Sequence, residues 1–331
     1  MNTSAVRKEE NTGISIAKEA FRLAEVHQSS PTPMAYEIWR WLHVIVSVIA
    51  ITAMLYHLFS IRYYTSAPYQ SALWFFLAIA WFGILFYVRL VKPVKLLKTP
   101  WRVSSVKSER GNAWTLTLSP DGHKGLRFSP GQFAWLSVHR TPFALAEHPF
   151  SIASSSEQSQ QLQFTIKELG DFSNTVKFIK PQERVYVDGP YGAFSIDFVT
   201  VENIVFIAGG IGIVPIMSML RSLADRQSQK SVMLIYGYQS EEYLTYKEEL
   251  DELVSTLKLE LVYVLTEPSE NWQGETGYIG YDLLKRHVSN YRHNSHFYIC
   301  GPTAMMLLTE QSIHKLGVDF TRIHSEIFTL V

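Results

Sequence analysis

Two stretches of the chain are apolar at nearly every position, and the residues beyond them are patterned. The first runs from Trp41 to Ile61 (WLHVIVSVIAITAMLYHLFSI) and the second from Ala72 to Val91 (ALWFFLAIAWFGILFYVRLV). Each holds about 20 residues, which at ~1.5 Å per residue crosses a hydrocarbon core of ~30 Å. A helix in a soluble core is seldom apolar on every face over that length, so both are expected to be transmembrane. The first begins too far along the chain, is too long, and lacks the small-residue cleavage pattern of a signal peptide.

From about Thr99 the pattern shifts to short β-type runs such as AWTLTLS, QFAWLSVH, QLQFTIKE and RVYVDGP. Turn signals at Asp121-Gly122, Pro130-Gly131 and Gln158-Ser159-Gln160 separate them, which predicts an antiparallel barrel or sandwich. After Val199 strands alternate with helices: NIVFIA then IMSMLRSLADR, VMLIYGY then EEYLTYKEELDELVSTL, with LELVYVLT and HFYICG to follow. That alternation predicts a parallel, doubly wound α/β sheet. Four segments result: a cytosolic N-terminal segment (1–35), a two-helix transmembrane region (36–98), a β-barrel domain (99–198) and an α/β domain (199–331). Ile14 to Val26 of the first segment is helix-compatible, with Ile16, Ala20, Leu23 and Ala24 as a weak apolar stripe.

Charge adds orientation. Arg89, Lys92, Lys95, Lys98 and Arg102 crowd the exit of the second apolar stretch, and Arg7, Lys8, Lys18, Arg22 and Arg40 precede the first. The intervening loop offers only Arg62, so the positive-inside rule places both termini in the cytosol, on an inner or plasma membrane. Net charge over the 331 residues is zero, and no basic arm is present, which argues against a nucleic-acid partner. The single cysteine, Cys300, excludes an internal disulfide, a cysteine zinc site and a self-contained iron–sulfur cluster.

Candidate chemistry begins at Gly209-Gly210-Ile211-Gly212-Ile213-Val214-Pro215, directly after the NIVFIA run. Glycines admit a sharp turn and close approach of a phosphate, Pro215 suits a first helical turn, and the helix start offers free N–H groups to a pyrophosphate. Taken alone, the same loop could also be no more than a tight strand–helix turn.

The chain also carries, in order, Pro130-Gly131-Gln132-Phe133, His148-Pro149-Phe150-Ser151, Ile166-Lys167-Glu168-Leu169-Gly170-Asp171-Phe172-Ser173, Gly189-Pro190-Tyr191-Gly192, Cys300-Gly301-Pro302 and Glu326-Ile327-Phe328. With the Gly209 loop among them, this series closely resembles the ferredoxin-NADP reductase superfamily, and within it the ferric reductase and NADPH oxidase branch. The resemblance implies an antiparallel β-barrel that binds FAD, followed by an α/β domain that binds NADH or NADPH. It places His148, Pro149, Phe150 and Ser151 along the flavin ring, with the Ser151 hydroxyl near the nitrogen that accepts hydride. Ile166, Lys167, Gly170, Ser173 and Asn174 fall in the flavin phosphate turn. Gly209, Gly210, Gly212 and Pro215 fall at the nicotinamide pyrophosphate, and Cys300, Gly301 and Pro302 border the nicotinamide. Glu326 and Phe328 fall at the C-terminal positions that face the flavin. Ser151, Cys300, Glu326 and Phe328 are therefore the expected catalytic set, with Cys300 shaping the pocket without a covalent intermediate.

Two departures qualify the resemblance. Relatives that prefer NADPH commonly carry arginine at the position of Gln239, and Glu241 and Glu242 follow it here, which favours NADH. Tyr36 to His43 is similar to the start of a haem-bearing helix, and His43 and His57, 14 residues apart, share nearly one helix face about 21 Å apart. They are the expected metal ligands, for haem b, because intramembrane histidines are rare, the alternative being an interfacial histidine at each end of the span. The family has six such helices and this chain has two, with no histidine in the second. A natural short form, an incomplete gene product and a chain completed by a haem-carrying membrane subunit or by self-association all remain open.

The function expected is a membrane-anchored NAD(P)H:FAD oxidoreductase that passes electrons singly to a membrane haem or an external acceptor. The alternatives are a haem-free anchored reductase that serves a soluble carrier, and a non-catalytic subunit of a redox complex. The partners expected are the nicotinamide cofactor and membrane lipid.

Overall fold

A computed structural model of the chain describes residues 33–144, 147–291 and 293–327. The expected helix over Ile14 to Val26 and the catalytic assignment of Phe328 lie outside the described residues.

The two apolar stretches are helices: α1 (Pro33–Ile61) and α2 (Pro68–Phe86). The link turns at Arg62, whose φ is 61°, and α2 starts with Pro68 at its first turn. There the Gln70 side chain accepts a hydrogen bond from the Ala67 N–H at 3.2 Å. α2 runs on through a π-helical turn (Tyr87–Val91) into α3 (Lys92–Leu97), which makes one rod of Pro68–Leu97. Both helices are long and apolar enough to cross a bilayer, and no residue of their most apolar windows is buried by protein. Phe59 and Phe75 pack at 4.6 Å between them, yet Phe76 and Ile79 stay 67% and 70% exposed. The hydroxyls of Ser47 and Thr52 donate back to the carbonyls of His43 and Val48 at 2.7 Å, so neither depends on water.

Next comes a six-stranded antiparallel sheet in the order β4-β3-β6-β1-β2-β5. Its strands are β1 (Trp101–Glu109), β2 (Ala113–Pro120), β3 (Phe133–Val138), β4 (His148–Ser151), β5 (Leu162–Lys167) and β6 (Arg184–Tyr191). The edges meet where Ile152 bridges to Phe164 and the Ala153 N–H donates to the Gln163 carbonyl at 2.7 Å, which curls the sheet into a barrel. Leu116, Leu118, Leu136, Phe164 and Val187 fill it. Thr115 and Thr165 are buried on the opposite face and share a 2.7 Å hydrogen bond, because the second domain covers that side.

The second domain is a parallel sheet in the order β10-β9-β8-β7-β11-β12. Its strands are β7 (Asn203–Gly209), β8 (Ser231–Tyr238), β9 (Lys258–Leu265), β10 (Glu275–Thr276), β11 (Ser295–Gly301) and β12 (Ile323–Ile327). Helices α4 (Ile213–Asp225) and α5 (Lys247–Thr256) contribute to the core on one face, and α6 (Tyr281–Val288) and α7 (Thr303–Lys315) to the core on the other. With both faces covered, β7 and β8 read as continuous apolar runs. The helix expected from Glu241 onward begins only at Lys247. Leu244 and Tyr246 are diverted into the core, and Tyr246 takes φ 64° to do so.

The two domains interlock. Arg221 grips both oxygens of Glu249 at 2.6 Å and donates to the Ala153 carbonyl at 2.8 Å and to Gln163 at 2.9 Å. Arg226 bridges Asp197 and Glu157, and the Tyr246 hydroxyl donates to Thr165. The helical rod is tied to the barrel by an ion pair from Lys92 to the buried Asp188 of β6, which also accepts from the Tyr191 hydroxyl at 2.9 Å.

Candidate active site

Strand alternation sorts the His148–Ser151 run. His148 and Phe150 project to one face, where Phe172 stacks on His148 at 4.0 Å and lies 5.8 Å from Phe150. Ser151 projects to the other face, opposite Phe133 in the β3–β4 ladder. It is buried, and its Oγ has no hydrogen-bond partner. An orphaned buried hydroxyl costs about 1–3 kcal/mol, so this atom fits a missing polar ligand such as a flavin ring nitrogen. Phe172 is an aromatic to which motif and spacing alone assign no role.

The turn at Gly170 is closed by Ser173. Its hydroxyl accepts from the N–H groups of Leu169 and Gly170 at 2.9 and 2.8 Å and donates to the Gly170 carbonyl at 3.0 Å. Ser173 thus shapes the turn, and Asn174, whose N–H bonds the Gly170 carbonyl at 3.0 Å, stands exposed beside it. Ile166 points into the barrel core, which leaves its side chain no route to a cofactor. Lys167 extends across the domain boundary, with Nζ 5.1 Å from the centre of the Tyr238 ring.

The sheet order reverses between β7 and β11, so the loops leaving these strands diverge and form the crevice where open α/β sheets bind ligands. The glycines there divide into two kinds. A Cβ at Gly209 would meet Met305 Sδ at 2.4 Å, and one at Gly212 would meet the Cys300 carbonyl at 2.3 Å. One at Gly301 would lie 3.0 Å from the Gly209 backbone. These three let the β7 and β11 loops touch, and the buried Pro215 packs in the first turn of α4. Gly210 differs: its φ is +54° and a Cβ there would meet nothing nearer than the Tyr238 ring at 3.9 Å. It is the open position above the start of α4, which fits a pyrophosphate.

Cys300 and Glu326 are register partners on β11 and β12. Cys300 is fully buried, and burial together with the nearby carboxylate raises its thiol well above the usual range, which makes it a poor nucleophile. Burial also pushes the Glu326 carboxyl up to about 7. Its Oε1 would lie 3.9 Å from a Cβ at Gly192, and that same Cβ would lie 3.2 Å from the Phe133 ring. Phe133 pairs with both Ser151 and Tyr191, so the Ser151 end of the barrel and the Cys300–Glu326 end of the sheet meet in one interdomain cleft. Tyr191 and Gly192, part of a motif whose sequence assigns them no role, are the hinge of that meeting. Pro302 is exposed at the start of α7, beside the cleft loops. Gln239 sits apart, just beyond β8.

His43 and His57 are both exposed on α1, with Trp39 stacked on His43 at 5.3 Å. α2 contains no histidine, and among the described residues no cluster of three or more histidine, cysteine or carboxylate side chains that could hold a metal occurs.

Comparison with known proteins agrees with this geometry. A model of FAD-binding domains matches residues 100–195, and one of oxidoreductase NAD-binding domains matches residues 206–311. The anthranilate 1,2-dioxygenase electron transfer component of Acinetobacter baylyi is 31% identical over 237 residues, 70% of this chain and 67% of that protein. The chain belongs to the FAD-dependent NAD(P)H oxidoreductases of the ferredoxin-NADP reductase-like superfamily. The glycine betaine monooxygenase reductase subunit of Pseudomonas aeruginosa is 27% identical over 246 residues, and the match takes in 64% of its length. The FAD/NAD-binding domain of a Vibrio cholerae nitric oxide dioxygenase superposes with a TM-score of 0.61 over 70% of this chain and 98% of that one, at 22% identity. That likeness is one of fold. These relatives carry the names of reductase components and oxygenases, so within the superfamily the ferric reductase and NADPH oxidase branch is not established by them.

Proposed function

We propose that this protein is a membrane-anchored NAD(P)H:FAD oxidoreductase that delivers electrons singly to an acceptor at the membrane. The observation that carries the reading is the interdomain cleft, where the partnerless Ser151 hydroxyl, Cys300 and Glu326 converge. FAD, when bound, supplies acceptance of a hydride and release of electrons one at a time.

The chain's own residues bind, orient and exclude water. Ser151 supplies a hydrogen bond at the ring, Phe150 and Phe172 apolar contact, and the Gly170 turn holds the flavin phosphates. Gly210 and the start of α4 hold the nicotinamide pyrophosphate. Cys300 sets the width of the pocket. An ionised Glu326 would stabilise the positive charge that a nicotinamide ring in the cleft gains on losing hydride.

Two apolar helices without a buried face support the membrane anchor, with both termini cytosolic. His43 and His57 would then hold haem, together with residues from a haem-carrying membrane subunit or from a second copy, and the haem would supply one-electron transfer. A haem-free anchor that serves a separate acceptor protein is the second reading, and the oxygenase reductase relatives favour it. The deciding experiment is an absorption spectrum of the full chain purified from haem-replete membranes, alone and with membrane proteins from its own genome. A flavin band bleached anaerobically by NADH or NADPH is expected. Low-spin haem lost on His43→Ala or His57→Ala supports the first reading, and its absence in every combination leaves the second. A folded protein that takes up no FAD overturns both.

A further inference from the structure

The helical rod meets the barrel around a cavity of about 70 Å³, lined by Val88, Arg89, Lys92 and Leu96 of the rod and by Phe143 and Glu147 of the β3–β4 connection. Arg89 Nε is buried and has no hydrogen-bond partner. No acidic residue lies anywhere in Pro68–Leu97, so the guanidinium has no carboxylate on its own rod to turn to. Lys92 is already committed to Asp188. Arg89 also falls inside the π-helical turn Tyr87–Val91, whose extra residue shifts the phase of the helix, and such turns occur mostly at functional sites.

The length of the rod sets the depth of this cavity. Arg89 comes 21 residues after Pro68, about 32 Å along the rod at ~1.5 Å per residue, against a hydrocarbon core of ~30 Å. In a membrane-spanning rod that is the level of the lipid headgroups. Val88 and Phe143 stay 43% and 41% exposed, apolar surface that suits acyl chains. A guanidinium holds phosphate through several N–H donors at once, and basic pockets at this level recognise lipid headgroups. Glu147 adds the opposite charge to the lining, so a purely anionic headgroup meets repulsion there. A choline headgroup has no N–H to offer that carboxylate, whereas an ethanolamine ammonium has three.

We propose that this cavity receives the headgroup of phosphatidylethanolamine, with its phosphate on Arg89 and its ammonium beside Glu147, and that the lipid fixes the barrel against the membrane surface. The site rests on the membrane-anchor reading above and adds a ligand to it.

The test is lipid retention by the full chain. The protein is reconstituted into vesicles of equal parts phosphatidylethanolamine, phosphatidylglycerol and phosphatidylcholine, re-extracted in mild detergent, and its bound lipid counted per flavin by mass spectrometry. Phosphatidylethanolamine should be retained about tenfold over the other two, and neither inorganic phosphate nor phosphoethanolamine should displace it. Arg89→Leu should lose that retention while keeping its flavin, and Glu147→Gln should shift the preference towards phosphatidylglycerol. Should Arg89→Leu not fold, the parent and Glu147→Gln decide alone. Equal retention of the three lipids by an inserted, flavin-loaded parent, or displacement by inorganic phosphate, overturns the proposal and leaves the anchor reading intact. A full chain that never enters the vesicles overturns both.

Discussion

The helical rod and the two-domain module solve opposite problems with the same apolar residue types. In the module Phe164, Phe206 and Phe297 are buried by their own chain, and apolar positions come in short runs broken by turns or on one face of a helix. In the rod Phe76, Phe82 and Phe86 face outward, and no period is visible because little of the surface is covered by protein. An apolar surface left uncovered by the chain must be covered by something else. Identical side chains thus report two environments, and the pattern around them tells which.

The strongest challenge to that contrast is to separate the halves. Residues 99–331 alone should remain in solution, take up FAD and reduce ferricyanide with a nicotinamide, while the full chain sediments with membranes and resists high-salt extraction. Sedimentation and flavin absorbance check both, and a full chain released by salt alone would dissolve the contrast.

Within the module the crevice glycines sharpen it next. Gly210→Val should weaken nicotinamide binding about a hundredfold, some 2.7 kcal/mol, with FAD retained, as measured by titration. Gly212→Ala should act on the fold instead, because its Cβ would stand 2.3 Å from the Cys300 carbonyl. A loss of about 1–3 kcal/mol is expected, read as a drop of a few degrees in Tm. If both variants behaved alike, the division of the glycines into ligand-facing and packing positions would be wrong.

The smallest effect concerns Glu326, whose carboxyl is pushed up to about 7 by burial. Between an unfolded value of about 4.3 and that value, the folded protein holds a proton that the unfolded chain has lost. Its contribution to stability is complete below the lower limit and disappears as pH rises through the upper one. Glu326→Gln should abolish that slope in pH-dependent unfolding. In stopped-flow reduction the parent's rate should rise through pH 7 as the carboxylate forms, and the variant's rate should be flat.

Much of this organisation was legible from local pattern. Strands with a clear period or a continuous apolar run, such as β2, β7 and β8, announce themselves, as do the two long apolar helices. β1 reads poorly because most of its positions, Arg102, Ser104, Ser105, Lys107, Ser108 and Glu109 among them, are polar and it is held by its neighbours in the sheet. The segment before Lys247 misled because Tyr246 serves the core and the domain interface, and so interrupts an otherwise good helix. At the site, the motif series pointed to Ser151, Gly210 and Glu326 but could not separate Gly210 from Gly209 and Gly212. Which glycine faces a ligand depends on what the opposite loop does.

The sequence by itself determined the two apolar spans, the change from antiparallel strands to alternating strands and helices, and the order of the cofactor motifs. Each of these arises from side-chain period and composition over a few neighbouring residues. Only the tertiary structure decided that Ser151 lacks a partner, that Glu326 comes close to Gly192 across the domains, and that the Gln239 amide is engaged by Glu267. Those are contacts between residues far apart in the chain, and their burial, charge and hydrogen bonding exist only once the sheets have closed on each other.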